Sequence, residues 1–394
     1  MSYNYAKVHQ SEIDSRTKNL QKQLEQEEVD GALFLSTPEL YYYSGIGSDG
    51  AVYVPIEGDP IYLIKRNLSL AKKHSLIANV QIFGRQSKLF ETLEIKSPSR
   101  IMIEKDVLSA SYVNFLHTKV KDVKLIDGSH VFRKIRSVKS AYEIELIERA
   151  ANLVDQSFEY CIEIANPDMT EIELASQLDS WLLHRGHGGY ITTRAFNAAL
   201  LHYSYVISSR SSTMNIHFTP ISGGGLSLKY PYGPSRQKLG KNSPFFVDTC
   251  GNNQGYISDT TRTFICGHFD EETQNQLEAL SQVKEFLRKK LGPKINLGDL
   301  YYEIMDLSKE LKIYDYFMGT GSDKSAFLGH GVGLELDELP ILYPKGSDLL
   351  VGNILACEPK FFALNQKVLG IEDTYSITDS GNKILSKSRN SFEI

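Results

Sequence analysis

Cysteine is scarce in this chain and nowhere paired in sequence. The four among its 394 residues, Cys161, Cys250, Cys266 and Cys357, stand far apart and form no Cys-x-x-Cys. That spacing argues against a disulfide scaffold or a zinc ribbon and fits a reducing cytoplasm. No run of 18 apolar residues occurs, so no membrane-spanning helix is expected. The opening MSYNYAKVHQSEIDSRTK is polar and lacks an apolar core, so no signal peptide is expected either. Positive charge is not in excess. The net charge is −5, which excludes nucleic acid and anionic membrane as expected partners. Phosphate-cradling glycine motifs are missing too: there is no P-loop, and GHGVG at residues 329–333 does not fit G-x-G-x-x-G. Histidine stops at His330.

What is present is an ordinary soluble composition and a length that allows two domains, with tyrosine abundant at 22. Residues 1–132 alternate between strand-like and helix-like segments. A charged helix at 12–27 precedes a buried-strand run at 31–35, and a hairpin is expected over 51–64. A helix near 68–77, strands near 80–83 and 100–104, a helix near 108–120 and a strand at 123–125 follow. This alternation predicts an α/β domain with a mixed sheet. Its His9, His74, His117 and His130 are isolated, and no catalytic constellation is visible there.

Residues 133–139, RKIRSVKS with its trailing serine, read as a basic linker into the second domain, 133–394. A long helix is expected over 141–165, stopped by Asn166-Pro167. Thr170 and Glu173 form a capping-box pattern that opens another helix to about residue 185. Residues 190–220 are β-branched and aromatic, with His202 and His217 among them. Two further helices are expected over 270–291 and 297–311.

Residues 245–264, FFVDTCGNNQGYISDTTRTF, read as a β-hairpin about the loop 252–255. In that register Asp248 faces Asp259, with Cβ atoms roughly 5 Å apart. Two facing carboxylates are either solvated on a surface or held by cations between them. A second strand pair, 354–362 and 367–378, would put Glu358 opposite Glu372. Each half of the domain thus has two long helices and a strand pair with opposed carboxylates, and His330 lies between the pairs in a glycine-rich stretch. Carboxylates with one imidazole form a donor set suited to divalent Mn, Fe, Co or Zn.

These ordered motifs, VDTCGNNQGYISDTTRTF, LGHGVGLELDELP, LACEPKFF and GIEDTY, carry a resemblance. From about Arg136 to its end the chain resembles the pita-bread metallohydrolases, among them Xaa-Pro aminopeptidase and prolidase. Its first part resembles the creatinase-type N-terminal domain. The resemblance implies an α+β protein: a creatinase-like α/β domain, then a pita-bread catalytic domain of antiparallel sheet and flanking helices. It implies two divalent ions (Mn, Co, Fe or Zn) held by Asp248, Asp259, His330, Glu358 and Glu372, with Glu358 also accepting a proton. It implies hydrolysis of an amide C–N bond by a metal-bridging hydroxide, a small peptide or peptide-like substrate of the Xaa-Pro class, and a homodimer. Small amidines or guanidines are the second substrate class of related enzymes, and a catalytically impaired metal-binding relative is the third reading.

Two positions depart from the family pattern. Asp337 in Asp337-Glu338-Leu339-Pro340 stands where the family has histidine, and so does Tyr232 in Pro231-Tyr232-Gly233. Tyr232 retains a donor for a developing oxyanion. Asp337 suits a cationic substrate group, an outer-shell role, or a protonated state. His202 and His217 are alternative sources of an imidazole. Cys250 shares the face of Asp248, as a soft ligand or as packing. Arg262 either supports a ligand carboxylate or lies on the surface.

Overall fold

The computed structural model describes residues 8–394 except 86–87, 94, 96–97, 121, 195–201, 212–219, 221 and 364–365. The chain divides into two compact units, one ending at Arg136 and the other spanning Ser137–Ile394. Among the described residues no helix is long and apolar enough to cross a membrane.

In the first unit the order is α1 (Gln10–Gln26), β1 (Gly31–Phe34), α2 (Thr37–Ser44), β2 (Gly50–Pro55), β3 (Ile61–Ile64), α3 (Leu68–His74), β4 (Asn79–Ile82), α4 (Leu89–Leu93), β5 (Ser99–Ile103), α5 (Ala110–His117), β6 (Val123–Asp127) and α6 (Ser129–Ser137). One sheet of order β4-β3-β2-β1-β5-β6 results. It is mixed, as expected: β2 pairs antiparallel with β1 and β3, whereas β1–β5, β3–β4 and β5–β6 are parallel.

The basic stretch expected to be a linker is helical through Ser137. Two of its cations are not solvated, whereas Lys134 is exposed. Arg136 is buried and its Nη1 lies 2.7 Å from Glu39 Oε1, and Lys139, just past the helix, is buried with Nζ 2.9 Å from Glu338 Oε2. Paired charges can enter a core that unpaired ones cannot.

The second unit contains α7 (Ala141–Ile164), α8 (Glu171–His184), β7 (Ser204–Ser208), β8 (Pro244–Asn253), β9 (Tyr256–Ile265), α9 (Glu271–Lys290), α10 (Leu297–Glu310), β10 (Gly329–Gly331), β11 (Glu338–Leu342), β12 (Ile354–Cys357), β13 (Lys360–Ala363), β14 (Lys367–Gly370), β15 (Asp373–Thr378), β16 (Gly381–Ile384) and β17 (Ser391–Glu393). The capping box at Thr170 and Glu173 opens α8, and another at Ser140 and Glu143 opens α7. The sheets have orders β17-β9-β8-β7, β11-β10-β12-β15-β16 and β13-β14. All pairings are antiparallel except β17 with β9.

Strand periodicity sorts the side chains. In one core Val154 and Phe158 of α7 pack with Phe245, Val247 and Phe264 of the β8–β9 hairpin. In the other, Leu280 and Val283 of α9 and Leu300 and Ile304 of α10 pack with Leu355, Cys357, Phe361 and Tyr375. Successive side chains of a strand point to opposite faces. Residues alternating with these apolar ones therefore face away from the helices. They are Phe246, Asp248 and Cys250 on β8, and Glu358 and Lys360 around β12 and β13.

Candidate metal centre

The register of the β8–β9 hairpin differs from the expected one. Asn253 pairs with Tyr256, so the turn has only two central residues, Gln254 and Gly255. Both have positive φ, 53° and 93°, the signature of a type I′ turn that matches strand twist. Closing the turn more tightly shifts the pairing: Asp248 faces Thr261, and Cys250 faces Asp259. Asp248 and Asp259 are diagonal neighbours on one face instead of opposed, a separation still bridgeable by a shared cation.

The second strand pair keeps the expected register. Cys357 pairs with Asp373 on one side, and Lys360 with Gly370 on the other. Both ladders run in the alignment that puts Glu358 across from Glu372. His330 sits at the centre of β10, between β11 and β12. The flanking glycines are there for close approach: a Cβ on Gly329 would lie 2.3 Å from the Ala356 carbonyl oxygen, and one on Gly331 2.2 Å from that of Leu339.

These elements enclose a cavity of about 80 Å³, lined by Asp248, Asp259, His330, Asp337, Glu358 and Lys360 among others. Asp259, His330 and Glu372, all buried, each offer a ligand atom within 4.8 Å of the other two. His330 Nδ1 donates to the Gly331 carbonyl at 3.2 Å. With the proton there, Nε2 turns a lone pair toward Asp259 Oδ2, 3.7 Å away. Two acceptors facing each other at that distance call for a cation between them. Glu372 Oε2 accepts from Thr261 Oγ1 at 2.6 Å, whereas its buried Oε1 has no hydrogen-bond partner. A buried, unpartnered carboxylate oxygen is costly unless something positive meets it. The three donors therefore fit one divalent ion.

Lys360, which the sequence reading passed over, is buried in the same cluster. Its Nζ lies 2.7 Å from Asp248 Oδ2, 2.8 Å from Glu358 Oε2 and 3.8 Å from Glu372 Oε2. Burial alone would lower its pKa, but Asp248, Glu358 and Glu372 outweigh that and hold it well above the usual lysine range. One ammonium does not neutralise the cluster. Asp259 is held far above the carboxylate range by burial and then by repulsion from Glu372 and Asp248. Glu372 is raised in the same direction by burial, with Asp248 and Glu358 adding repulsion against the pull of Lys360. The signal that points to Lys360 is its place two residues after Glu358 in an extended segment, where both side chains share a face.

Asp337 lines the cavity, half-buried, and its Oδ1 accepts the backbone N–H of Arg194 at 2.9 Å. The neighbouring segment is fixed by Arg194 Nη1 to Glu335 Oε2 at 3.2 Å and by the buried pair of Lys139 and Glu338. Tyr232 is buried but does not belong to the described cavity lining. Its ring meets Tyr230 edge-on at 5.9 Å, and Tyr205 lines the cavity instead. His202 Nδ1 pairs with Asp179 Oδ2 at 3.0 Å, outside the lining. His217 lies outside the described residues. Cys250 is buried with Sγ 3.5 Å from Asp259 Oδ1. Burial and then the negative charge of Asp259 push its thiol well up, so it packs as a neutral side chain rather than acting as a thiolate. Arg262 is fully buried and not on the surface. It reaches the backbone carbonyl of Glu372 and the carboxylate of Asp373, and so supports Glu372 through the main chain.

The chain matches the profile of metallopeptidase family M24 over residues 145–379 and that of the creatinase/prolidase N-terminal domain over residues 16–138. It is 25% identical over 381 residues to the Xaa-Pro dipeptidase of Pyrococcus furiosus, covering 95% of this chain and 99% of that protein. To the Xaa-Pro dipeptidase of Pyrococcus horikoshii it is 25% identical over 383 residues, covering 95% and 98%. Among solved structures, the prolidase from Pyrococcus horikoshii OT3 aligns with a TM-score of 0.78 at 23% identity, over 95% of this chain and 99% of that one. An Xaa-Pro dipeptidase from Bacillus anthracis aligns with a TM-score of 0.80 at 20% identity, over 97% and 99%.

Proposed function

The chain belongs to metallopeptidase family M24 and is a metal-dependent hydrolase of it, and from that premise we propose that its substrate is an Xaa-Pro dipeptide or a close analogue. The observation that carries the reading is the buried cluster of Asp259, His330 and Glu372, of which the first two line a cavity together with Glu358 and Asp337. Relatives of nearly the same length that bear the name Xaa-Pro dipeptidase support the substrate class.

Asp259 Oδ2, His330 Nε2 and Glu372 Oε1 are the atoms proposed to hold a divalent ion. When bound, the ion supplies Lewis acidity, which lowers the pKa of a water and polarises an amide carbonyl. Glu358 lines the cavity beside those atoms and is positioned to take up the proton of the attacking water at the carboxylate oxygen Lys360 does not hold. The same carboxyl then returns it to the amine that leaves. Ile207, Phe246 and Phe327 add apolar surface to this otherwise charged cavity lining. Tyr232, which is not part of this lining, is assigned no role.

A second reading rests on Asp337. A half-buried carboxylate at the cavity wall suits a cationic substrate group, which favours small amidines or guanidines as well as peptides with a free amine. A panel of Xaa-Pro dipeptides, other dipeptides and cyclic amidines, assayed with protein reconstituted in Mn²⁺, Co²⁺ or Zn²⁺, separates the two. Preferential cleavage of Xaa-Pro dipeptides is the expected result. Turnover of amidines alone would replace the first reading with the second. No turnover of any panel member with a bound ion would remove both.

A further inference from the structure

We propose that the Lys360 ammonium is a built-in replacement for one of two cations, so that this chain binds a single divalent ion at Asp259, His330 and Glu372. The proposal rests on the metal-dependent reading above and deepens it.

The ammonium lies where a second ion would have to lie. Asp248 and Glu358 both direct a carboxylate oxygen at Nζ, at 2.7 and 2.8 Å, and Glu372 Oε2 stands 3.8 Å off. Paired ions in dinuclear hydrolases sit about 3.5–4 Å apart and share bridging carboxylates. An ion drawn by Asp248 and Glu372 would compete with Nζ for the same oxygens and meet its positive charge at close range. Nor can the lysine readily swing away. It is 2% exposed, its backbone N–H meets Met318 Sδ at 3.3 Å, and its carbonyl accepts from the Met318 N–H at 2.9 Å. Its Nζ lies over the Phe246 ring, 5.7 Å from the ring centre. A strand start anchored on both sides aims this side chain at the carboxylates.

The donors divide accordingly. Asp248 and Glu358 are engaged by the ammonium, while His330 Nε2, Asp259 Oδ2 and the unpartnered Glu372 Oε1 remain for an ion. Asp248 thus changes from expected metal ligand to counter-ion of Lys360. The consequence for the reaction is that one positive charge of the site is covalently fixed. It does not exchange with the medium, and it offers no coordination position to substrate or water.

The test counts ions on the full-length chain, stripped with chelator and reloaded with Mn²⁺ or Co²⁺. Elemental analysis after desalting and titration calorimetry are expected to give one ion per chain for the unaltered protein. Lys360→Ala and Lys360→Gln are each expected to give two, and Lys360→Arg one. Asp259→Asn is expected to lower the affinity of the single ion at least a hundredfold, and Asp248→Asn less than tenfold. Should the Lys360 variants fail to fold, the count on the unaltered chain and the Asp248 and Asp259 comparison still decide. Two ions on the unaltered chain, one ion on folded Lys360→Ala and Lys360→Gln, or loss of the ion in Asp248→Asn would each overturn the proposal. No ion on any form would overturn it together with the metal-dependent reading. A count of one rising to two without Xaa-Pro cleavage would leave it standing and remove the substrate assignment.

Discussion

Arg262 Nη2 lies 2.6 Å from Asp373 Oδ1, and its Nη1 donates to the Glu372 carbonyl at 2.5 Å. Both side chains are essentially inaccessible to water. Removing one partner of a buried pair strands the other charge, typically at a cost of about 3–5 kcal/mol. Lys284 Nζ, 2.7 Å from Asp373 Oδ2, offsets part of that loss. Arg262→Ala is therefore expected to lower the urea midpoint strongly at unchanged m-value. Because the lost bond holds the main chain of Glu372, metal affinity should fall about 10–100-fold as well. Lys238→Ala, which breaks the exposed pair with Asp168, should change neither.

Gly331 sets the approach of β10 to the strand beside it. A Cβ there would sit 2.2 Å from the carbonyl oxygen of Leu339 and 2.5 Å from its carbonyl carbon, both backbone atoms that cannot rotate aside. Gly331→Ala should destabilise the fold by roughly 1–3 kcal/mol through forced backbone movement. The movement falls on the residue next to His330. If the unaltered chain is stabilised by added Mn²⁺ through mass action, the thermal midpoint of the variant should lose most of that dependence. A midpoint that falls but still rises normally with Mn²⁺ would show that His330 had not moved.

Much of this site was legible because strands repeat every two residues. Asp248, Asp259, Glu358 and Glu372 are separated by odd steps from the core residues Val247, Phe264, Cys357 and Ile371 of their own segments, and the structure puts them on the face away from the helices. The hairpin register was not legible, because Gln254 adopts a left-handed conformation that its residue type does not advertise. Lys360 was missed for an energetic reason. Lysine is almost never fully buried unless paired, and its pairing partners come from β8 and from the segments either side of Pro359 and Ile371. The location of Tyr232 depends on a loop path that no periodicity encodes. Arg136 and Lys139 looked solvated because Glu39 and Glu338, their partners, lie 97 and 199 residues away.

The Gln254-Gly255 turn offers a direct test of the observed register. With φ of 53° and 93°, both central residues occupy backbone space that favours Asn and Gly. Gln254→Asn should stabilise the protein by a few tenths of a kcal/mol, and Gly255→Ala should destabilise it by about 1 kcal/mol. In a four-residue loop over 252–255 neither substitution would have a consistent sign. Chemical denaturation of the two variants distinguishes these cases.

All four cysteines are buried and unpaired. Burial raises the Cys161 thiol, with the nearby Cys266 adding to the effect, and burial pushes Cys266 up to about 11. Thiolate, not thiol, is the nucleophile. An aromatic disulfide reagent at pH 8 should therefore modify almost no thiol in the folded chain, and four per chain in denaturant. Fast reaction of one thiol in the folded state would mean that a cysteine is more open than the packing allows.

Asp337 carries two separable duties. Its Oδ1 accepts the Arg194 N–H at 2.9 Å, which ties the cavity wall together, and its charge faces the cavity. Asp337→Asn keeps an acceptor oxygen and removes the charge, while Asp337→Ala removes both. If the charge meets a cationic group on the substrate, Asp337→Asn should raise KM for substrates with a free amine by about tenfold. That loss corresponds to about 1.4 kcal/mol of binding shared by ground and transition states, so kcat should hold. N-acylated analogues lack the cation and should show no such change. Asp337→Ala should add a lower thermal midpoint, because the Arg194 N–H loses its acceptor. A fall in kcat with unchanged KM in Asp337→Asn would place the carboxyl in proton transfer instead, and a fall in stability alone would leave it as a tether for Arg194.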